Sequence, residues 1–526
     1  MSSVSAASFR VCLISPPYDR QRVYSGMGFA APIEPPLGLA FIAAMVRQRG
    51  FDVRLIDSTT EGYGLAELQQ IVAQWQPHLV GISANTPVYP IAVELAALVK
   101  RALPEATVVL GGCHPTLYPE RALANPGVDA VIVGEGELAM AEIAAARAAG
   151  RDLAGIAGLV HHCGGQVVRE AERPFLQDLD CLPPPAFDLL PIRKYRISLG
   201  MARHTPAVSM VASRGCPMNC KFCTSPGIWK RCWRHHSPRY VGEVLETLAT
   251  RHGVRHVQFR DDTFTIDRGW VEGICAEVLR RRLRLTWDCY STVGLVQDEL
   301  VRRMKQAGCT CLSIGIESGN DGMLQKYKGT SKAEVREKMA LLRRVGMQTR
   351  LFFMLAPPAE RREHLDETLA FALELDPDFA MFTPTVPLPG AALYEELLHD
   401  GAGVPDYDHQ LQNFQDILYA PPPFTVRELE EFRSLCYRRF YLRPRYVCRM
   451  LPKLLSWDSM KRGGEALGQL ALMWRRRRAS ASSNLPSPAC GRGAATWSPG
   501  EGARTLPQGQ PPSPPTPLPQ AGEGRP

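Results

Sequence analysis

The chain has no run of about 18 apolar residues, the minimum for a helix that crosses a membrane. Its opening residues, MSSVSAASFR, lack the charged and then apolar segments of a secretory signal. The 15 cysteines in 526 residues therefore read as thiols of a reducing cytoplasm, not as a disulfide framework. A global basic field is missing too. Residues 427–478 carry 14 Lys and Arg against 5 Asp and Glu, a net of +9, which leaves −1 for the rest of the chain. This excludes a DNA-binding surface over the bulk of the protein and confines any electrostatic partner to the C-terminal segment.

One more absence raises a chemical question. The stretch SRGCPMNCKFCTSP (213–226) holds Cys216, Cys220 and Cys223, spaced C-x3-C-x2-C, and no fourth cysteine. Structural zinc sites and most iron–sulfur sites take four protein ligands. Either a zinc ion borrows a ligand from Cys232, His235 or His236 nearby, or three irons of a cubane cluster are held and the fourth stays open.

What is present is a repeated alternation of strand and helix. Residues 9–145 contain the apolar runs FRVCLIS, DVRLID, HLVGIS, TVVLGG and DAVIVG, separated by amphipathic patterns such as LGLAFIAAMVRQRG. Short apolar strands between such helices predict a five-stranded, doubly wound parallel sheet, covered on both faces. Ligands bind such a sheet at the carboxyl ends of its strands. Those ends read SPPY, SANTP, GGCHPT and GEGE, rich in residues that let a ligand approach the backbone. Residues 146–205 form a proline-punctuated connector, expected to cross the surface as an ordered linker.

Residues 206–400 repeat the pattern with AVSMVAS, HVQFRDD, LTWDCYS, CLSIGIES, TRLFFMLA and FAMFTPT as strands. Six βα units predict a partial (β/α)6 barrel, with its chemistry on the loops after the strands. The three cysteines follow the first of these strands. Residues 401–478 are helical, aromatic and basic, and residues 479–526, with 11 Pro and 7 Gly, have a disordered composition.

The cysteine motif, with Phe222 as its aromatic residue, resembles that of the radical S-adenosylmethionine enzymes. FRDDTFTID (259–267), IGIESGND (314–321) and PLPGAALYEEL (387–397) resemble elements of the cobalamin-dependent members. FFMLAPPAE (352–360) departs from their GxPGET form, with Ala356 and Pro358 where glycines are common. PPLGLAFIAAMVRQRGFDVRLID (35–57), VGISANTP (80–87), GGCHPTLYPE (111–120) and VGEGE (133–137) resemble the cobalamin-binding domain that precedes such barrels.

The resemblance implies a 4Fe–4S cluster on Cys216, Cys220 and Cys223, with S-adenosylmethionine on the open iron. Phe222, Asp261, Asp262 and Glu317 are the expected S-adenosylmethionine contacts, Glu317 at the ribose. Ser83, Ala84, Gly111, Gly112, Gly134 and Glu135 are the expected cobalamin contacts. The loop after the first strand, PPYDRQRVYSGMG, contains no histidine, so cobalamin is expected base-off without an imidazole on cobalt. His114 at the sheet edge fits a capping or loop role.

The implied activity is reductive cleavage of S-adenosylmethionine to a 5′-deoxyadenosyl radical, with methylation of an unactivated carbon of a small-molecule, lipid-like or tetrapyrrole-like substrate. The alternatives are a cyclase or rearrangement enzyme with the same cofactors, or a non-catalytic electron-transfer protein. A flavodoxin or ferredoxin is the expected electron donor. RRFYLRPRYVCRMLPKLLSW (438–457) reads as a helix closing the barrel's open side, or as a peripheral membrane or, less fittingly, RNA contact. No residue is singled out for handling the substrate.

Overall fold

The computed structural model describes residues 8–20, 32–197, 205–401, 404 and 417–454, with side chains as far as 449. Most of the histidine-free loop, the arginine run near 475 and the Pro/Gly-rich tail lie outside these residues.

The first sheet is built from β1 (Arg10–Ser15), β2 (Asp52–Asp57), β3 (Leu79–Ser83), β4 (Thr107–Gly111) and β5 (Ala130–Ile132). They are parallel and run in the order β2-β1-β3-β4-β5. This is the flavodoxin-like arrangement expected from the sequence. Val11, Leu13, Leu79 and Val109 pack on one face with helix Leu37–Gln48, while Cys12, Ile14, Val80 and Leu110 pack on the other with helix Tyr89–Ala102. Burial on both faces is why these strands are apolar throughout and do not alternate.

The connector is more than a linker. It supplies β6 (Leu159–Cys163) and β7 (Gln166–Arg169), an antiparallel hairpin that extends the sheet to seven strands. Its two-residue turn is Gly164–Gly165, both at positive φ (56° and 79°), a geometry that side-chain-bearing residues adopt at a cost.

The second sheet contains β8 (Ala207–Met210), then β11 (His256–Phe259), β12 (Thr286–Ser291), β13 (Cys309–Glu317), β14 (Gln348–Leu355) and β15 (Phe379–Pro384). Between β8 and β11, the short strands β9 (Ser213–Arg214) and β10 (Arg234–His235) pair as an antiparallel ribbon. The six long strands are parallel, in the order β15-β14-β13-β12-β11-β8. This is the expected half-barrel.

Its edge at β15 is closed by helix Val426–Tyr441. The Tyr441 hydroxyl accepts from the Ala380 N–H (3.1 Å) and donates to its carbonyl (2.8 Å). Tyr437 does the same to Phe382 at 3.3 Å each. Two tyrosines one helical turn apart thus satisfy an edge strand that would otherwise leave its ladder open. Arg443 and Arg449 pair with Asp376 (2.8 and 2.9 Å), so part of this segment's basic charge serves the barrel. Of the readings of this segment, its described part matches the closing helix. No helix among the described residues is long and apolar enough to cross a membrane.

Candidate functional site

The ribbon β9–β10 gathers both ends of the cysteine loop, residues 215–233. Asp261, at the end of β11, fixes the entrance. Its Oδ1 accepts from the Ala212 N–H (3.0 Å), the Ser213 N–H and the Ser213 hydroxyl (2.6 Å). Gly215 then turns at φ 81°, and a Cβ there would lie 2.1 Å from the Cys232 carbonyl oxygen, so only glycine fits. Further on, a Cβ at Gly227 would lie 2.3 Å from the Gly390 carbonyl oxygen, and the Leu393 N–H donates to the Lys221 carbonyl at 2.8 Å. The PLPGAALY element is therefore the clamp that seats the cysteine loop.

This loop and the barrel strands enclose a cavity of about 510 Å³. Cys216, Cys220 and Cys223 line it together with Phe222, Asp262, Thr263, Tyr290, Glu317, Tyr327 and Lys328. The Cys216 Sγ is 3.5 Å from the Thr263 hydroxyl, and the Ser225 N–H donates to the Cys223 Sγ at 3.4 Å. Burial pushes the Cys223 thiol up to about 11 and the Cys220 thiol upward as well. Bound iron reverses that cost, since a metal ion favours the thiolate. Three soft donors on one loop facing one cavity match the chemistry of an iron–sulfur cluster. Cys232 is exposed, His235 packs against Trp233 with its ring tilted by 41°, and His236 is buried against Asp180; none of the three lines this cavity.

Glu317 ends β13 with φ 73°, a left-handed conformation rare for a residue with a long side chain. The carboxylate lies 3.5 Å from the Lys328 Nζ, and burial raises its pKa while Lys328 pulls it back. Gly315 makes room for it: a Cβ there would sit 2.3 Å from the Glu317 Oε1. Lys328, Tyr290 and Thr263 are lining residues that sequence reading missed, because no local pattern aims them at the cysteines.

A second cavity, of about 560 Å³, opens between the carboxyl edges of the two sheets. Ser83, Ala84, Gly111, Gly112, Gly134 and Glu135 all line it from the first sheet. From the barrel come Val211, Ser213, Arg214, Arg260 and Asp262. A Cβ at Gly111 would meet nothing closer than Ile132 Cβ at 3.9 Å, so the wall there is a cradle that a side chain would fill. This small-residue edge fits a bulky flat ligand. No histidine is among the described lining residues. His114 is buried, packed against the tilted ring of Tyr89 and 3.3 Å from the Thr86 hydroxyl.

Three of the expected contact residues also have structural duties. Asp261 is fully buried and lines neither cavity; its carboxylate holds the cysteine loop. The Glu135 carboxylate is already engaged by Arg214 (2.7 Å), Arg234 (2.9 Å) and the Leu176 N–H (2.9 Å), so it ties the barrel to the first sheet. Gly112, at φ 102°, packs its Cα hydrogens against Ala84, where a Cβ would approach the carbonyl oxygen to 2.6 Å; its first requirement is steric. In APPAE, Ala356 and Ala359 are left-handed (φ 55° and 71°).

Residues 28–144 match the B12 binding domain and residues 210–372 the radical SAM superfamily. An uncharacterized methyltransferase of Pyrococcus horikoshii is 32% identical over 83% of this chain and 94% of its own length. The chain belongs to the cobalamin-dependent radical S-adenosylmethionine enzymes. An anaerobic magnesium-protoporphyrin IX monomethyl ester cyclase of Cereibacter sphaeroides is 28% identical, over 82% of this chain and 70% of its own. The fold is that of the radical S-adenosylmethionine methyltransferase TsrM of Kitasatospora setae, with a TM-score of 0.63 at 20% identity and 81% of each chain covered. The cofactors of this radical S-adenosylmethionine enzyme are a 4Fe–4S cluster, S-adenosylmethionine and cobalamin.

Proposed function

We propose that the enzyme methylates an unactivated carbon of a small-molecule substrate of lipid-like or tetrapyrrole-like character. The observation that carries this reading is the pairing of two cavities, one walled by three thiols and Glu317, the other by the small-residue sheet edge, with Asp262 in the wall of both. When bound, the cluster and S-adenosylmethionine supply a 5′-deoxyadenosyl radical, and cobalamin supplies the methyl group.

The chain's own residues set the geometry. Cys216, Cys220 and Cys223 are proposed to hold three irons and leave the fourth for S-adenosylmethionine. Glu317 accepts hydrogen bonds from the ribose hydroxyls, with Lys328 offsetting part of the burial that disfavours the carboxylate. Phe222 and Tyr327, with ring centroids 6.2 Å apart, form an apolar wall beside them. Gly111, Ser83 and Ala84 admit the corrin and its tail. The electron comes from an external donor of flavodoxin or ferredoxin type.

The test is anaerobic reconstitution, followed by incubation with lipid and tetrapyrrole candidates and mass spectrometry. Methyl transfer gives 5′-deoxyadenosine, S-adenosylhomocysteine and a product heavier by about 14 Da. Likeness to the cyclase favours a second reading, ring closure; 5′-deoxyadenosine with no methylated product from any candidate would select it over methyl transfer.

A further inference from the structure

Asp262 is the one lining carboxylate of either cavity, among the described residues, with no cation bonded to it. Glu135 and Glu137 are held by Arg214 and Arg234, and Glu317 lies beside Lys328. Arg260, two residues before Asp262, is already matched by Glu34 at 2.5 Å. Asp262 has instead a neutral partner: the Ser225 hydroxyl donates to its Oδ2 at 2.5 Å. Ser225 belongs to the cysteine loop, so the carboxylate is fixed from the cluster side. The other titratable groups nearby are the Cys113 and Cys223 thiols, both of which feel its charge.

Asp262 is exposed to solvent in the open cavities, and a ligand that fills them strips water from a carboxylate with no counter-ion, so the ligand itself must meet the charge. Both implied ligands are cationic. S-adenosylmethionine carries a sulfonium, and cobalt(III) in a monoanionic macrocycle keeps net positive charge. Asp262 stands in the barrel wall of the first cavity, which Ser83, Gly111 and Gly112 line from the sheet edge. A flat macrocycle resting on that edge turns its other face to the barrel.

We propose that the Asp262 carboxylate faces the barrel-side axial ligand of bound cobalamin and is the charged partition between the two cofactor cavities. This rests on the reading that the first cavity holds cobalamin. A fixed anion between two cations reduces their mutual repulsion, and its oxygens are acceptors for a protonated ligand on the metal.

The test needs no substrate. The full-length protein and its Asp262→Asn variant are loaded with aquacobalamin, and the conversion of cobalt-bound water to hydroxide is followed by visible absorption against pH. A carboxylate acceptor favours water over hydroxide, so the transition in the parent protein is expected about one pH unit or more above that of Asp262→Asn. Ser225→Ala, which keeps the charge and removes its donor, should hold the parent value or move higher. Iron content, measured in parallel, reports that the barrel is intact. Equal transitions in parent and Asp262→Asn, with cobalamin bound, overturn the proposal alone. A protein that takes up no cobalamin removes the underlying reading along with it.

Discussion

The wall of the cavity between the sheets combines a small-residue sheet edge, larger apolar residues such as Phe41 and Trp229, and charges mostly paired with one another, whereas the barrel cavity is walled by thiols that resist ionisation and by a glutamate in a strained backbone conformation. The first wall is shaped to admit; the second is poised to react. A large ligand held by many weak contacts needs room and a neutral surface. A cluster and a small cosubstrate need a few strong, fixed donors. The contrast predicts that damage to one wall should leave the other working.

The largest effect is expected at the thiols. Replacing Cys216, Cys220 or Cys223 with Ala should each abolish iron incorporation after anaerobic reconstitution, while cobalamin uptake persists. Cys232→Ala and Cys289→Ala should keep iron, since Cys232 is exposed and Cys289 is sealed in the barrel core. Iron lost from Cys232→Ala as fully as from Cys220→Ala would remove the open-iron arrangement.

The mirror experiment is at Gly111. Leu there projects into the cavity without meeting the backbone, and should abolish cobalamin binding with iron content unchanged. Gly112→Leu is the poorer probe, because collision with Ala84 damages the sheet itself. A Gly111→Leu protein that still binds cobalamin would place that ligand elsewhere.

The seam between the walls can be broken too. Glu135→Gln leaves Arg214 and Arg234 buried with a neutral partner, and removal of one member of a buried ion pair costs about 3–5 kcal/mol. Denaturant unfolding of the apoprotein measures this; a loss under about 1 kcal/mol would show that Glu137 and solvent compensate.

Much of both walls was legible in the sequence, and the illegible parts share a reason. Parallel strands buried on both faces are continuous apolar runs, so the strands of both sheets could be read, and a thiol triplet at fixed spacing is local. The hairpin Leu159–Arg169 was missed although its signal, two glycines followed by a pair of valines, was present in HHCGGQVV. The Glu135–Arg214–Arg234 cluster had no signal, since its members are far apart in the chain and only the fold pairs them. Asp261 and Asp262 are identical in type, and which of them faces a cavity is decided by strand direction, which sequence gives only modulo the register.

A smaller effect is expected at Glu317. Glu317→Ala should weaken S-adenosylmethionine binding by about 1.5–3 kcal/mol, roughly 10- to 150-fold in Kd, with iron intact. Burial raises this carboxyl's pKa, so in the parent protein affinity should fall as pH is lowered, beginning above the ordinary carboxylate range. Calorimetric titration at two pH values checks both. Unchanged affinity in Glu317→Ala would leave the Lys328 pair as its only role.

The smallest effect sharpens the comparison at the level of backbone strain. Ala356 and Ala359 hold left-handed conformations in APPAE, and the Ala356 N–H donates to the buried Glu360 carboxylate at 2.6 Å. The left-handed conformation costs an L-residue roughly 1–2 kcal/mol, and glycine's extra unfolded-state entropy costs about 0.5–1 kcal/mol, so the net gain from glycine is about 1 kcal/mol or less. Ala359→Gly should therefore raise thermal stability slightly, without changing iron content or cobalamin uptake, because Ala359 lines neither cavity. Glu317 shares the left-handed conformation but carries a side chain proposed to hold the cosubstrate, so Glu317→Gly should relieve similar strain and still lose affinity. If Ala359→Gly instead weakened S-adenosylmethionine binding while Glu317→Gly did not, the strained turn that holds the cosubstrate would be APPAE rather than the end of β13.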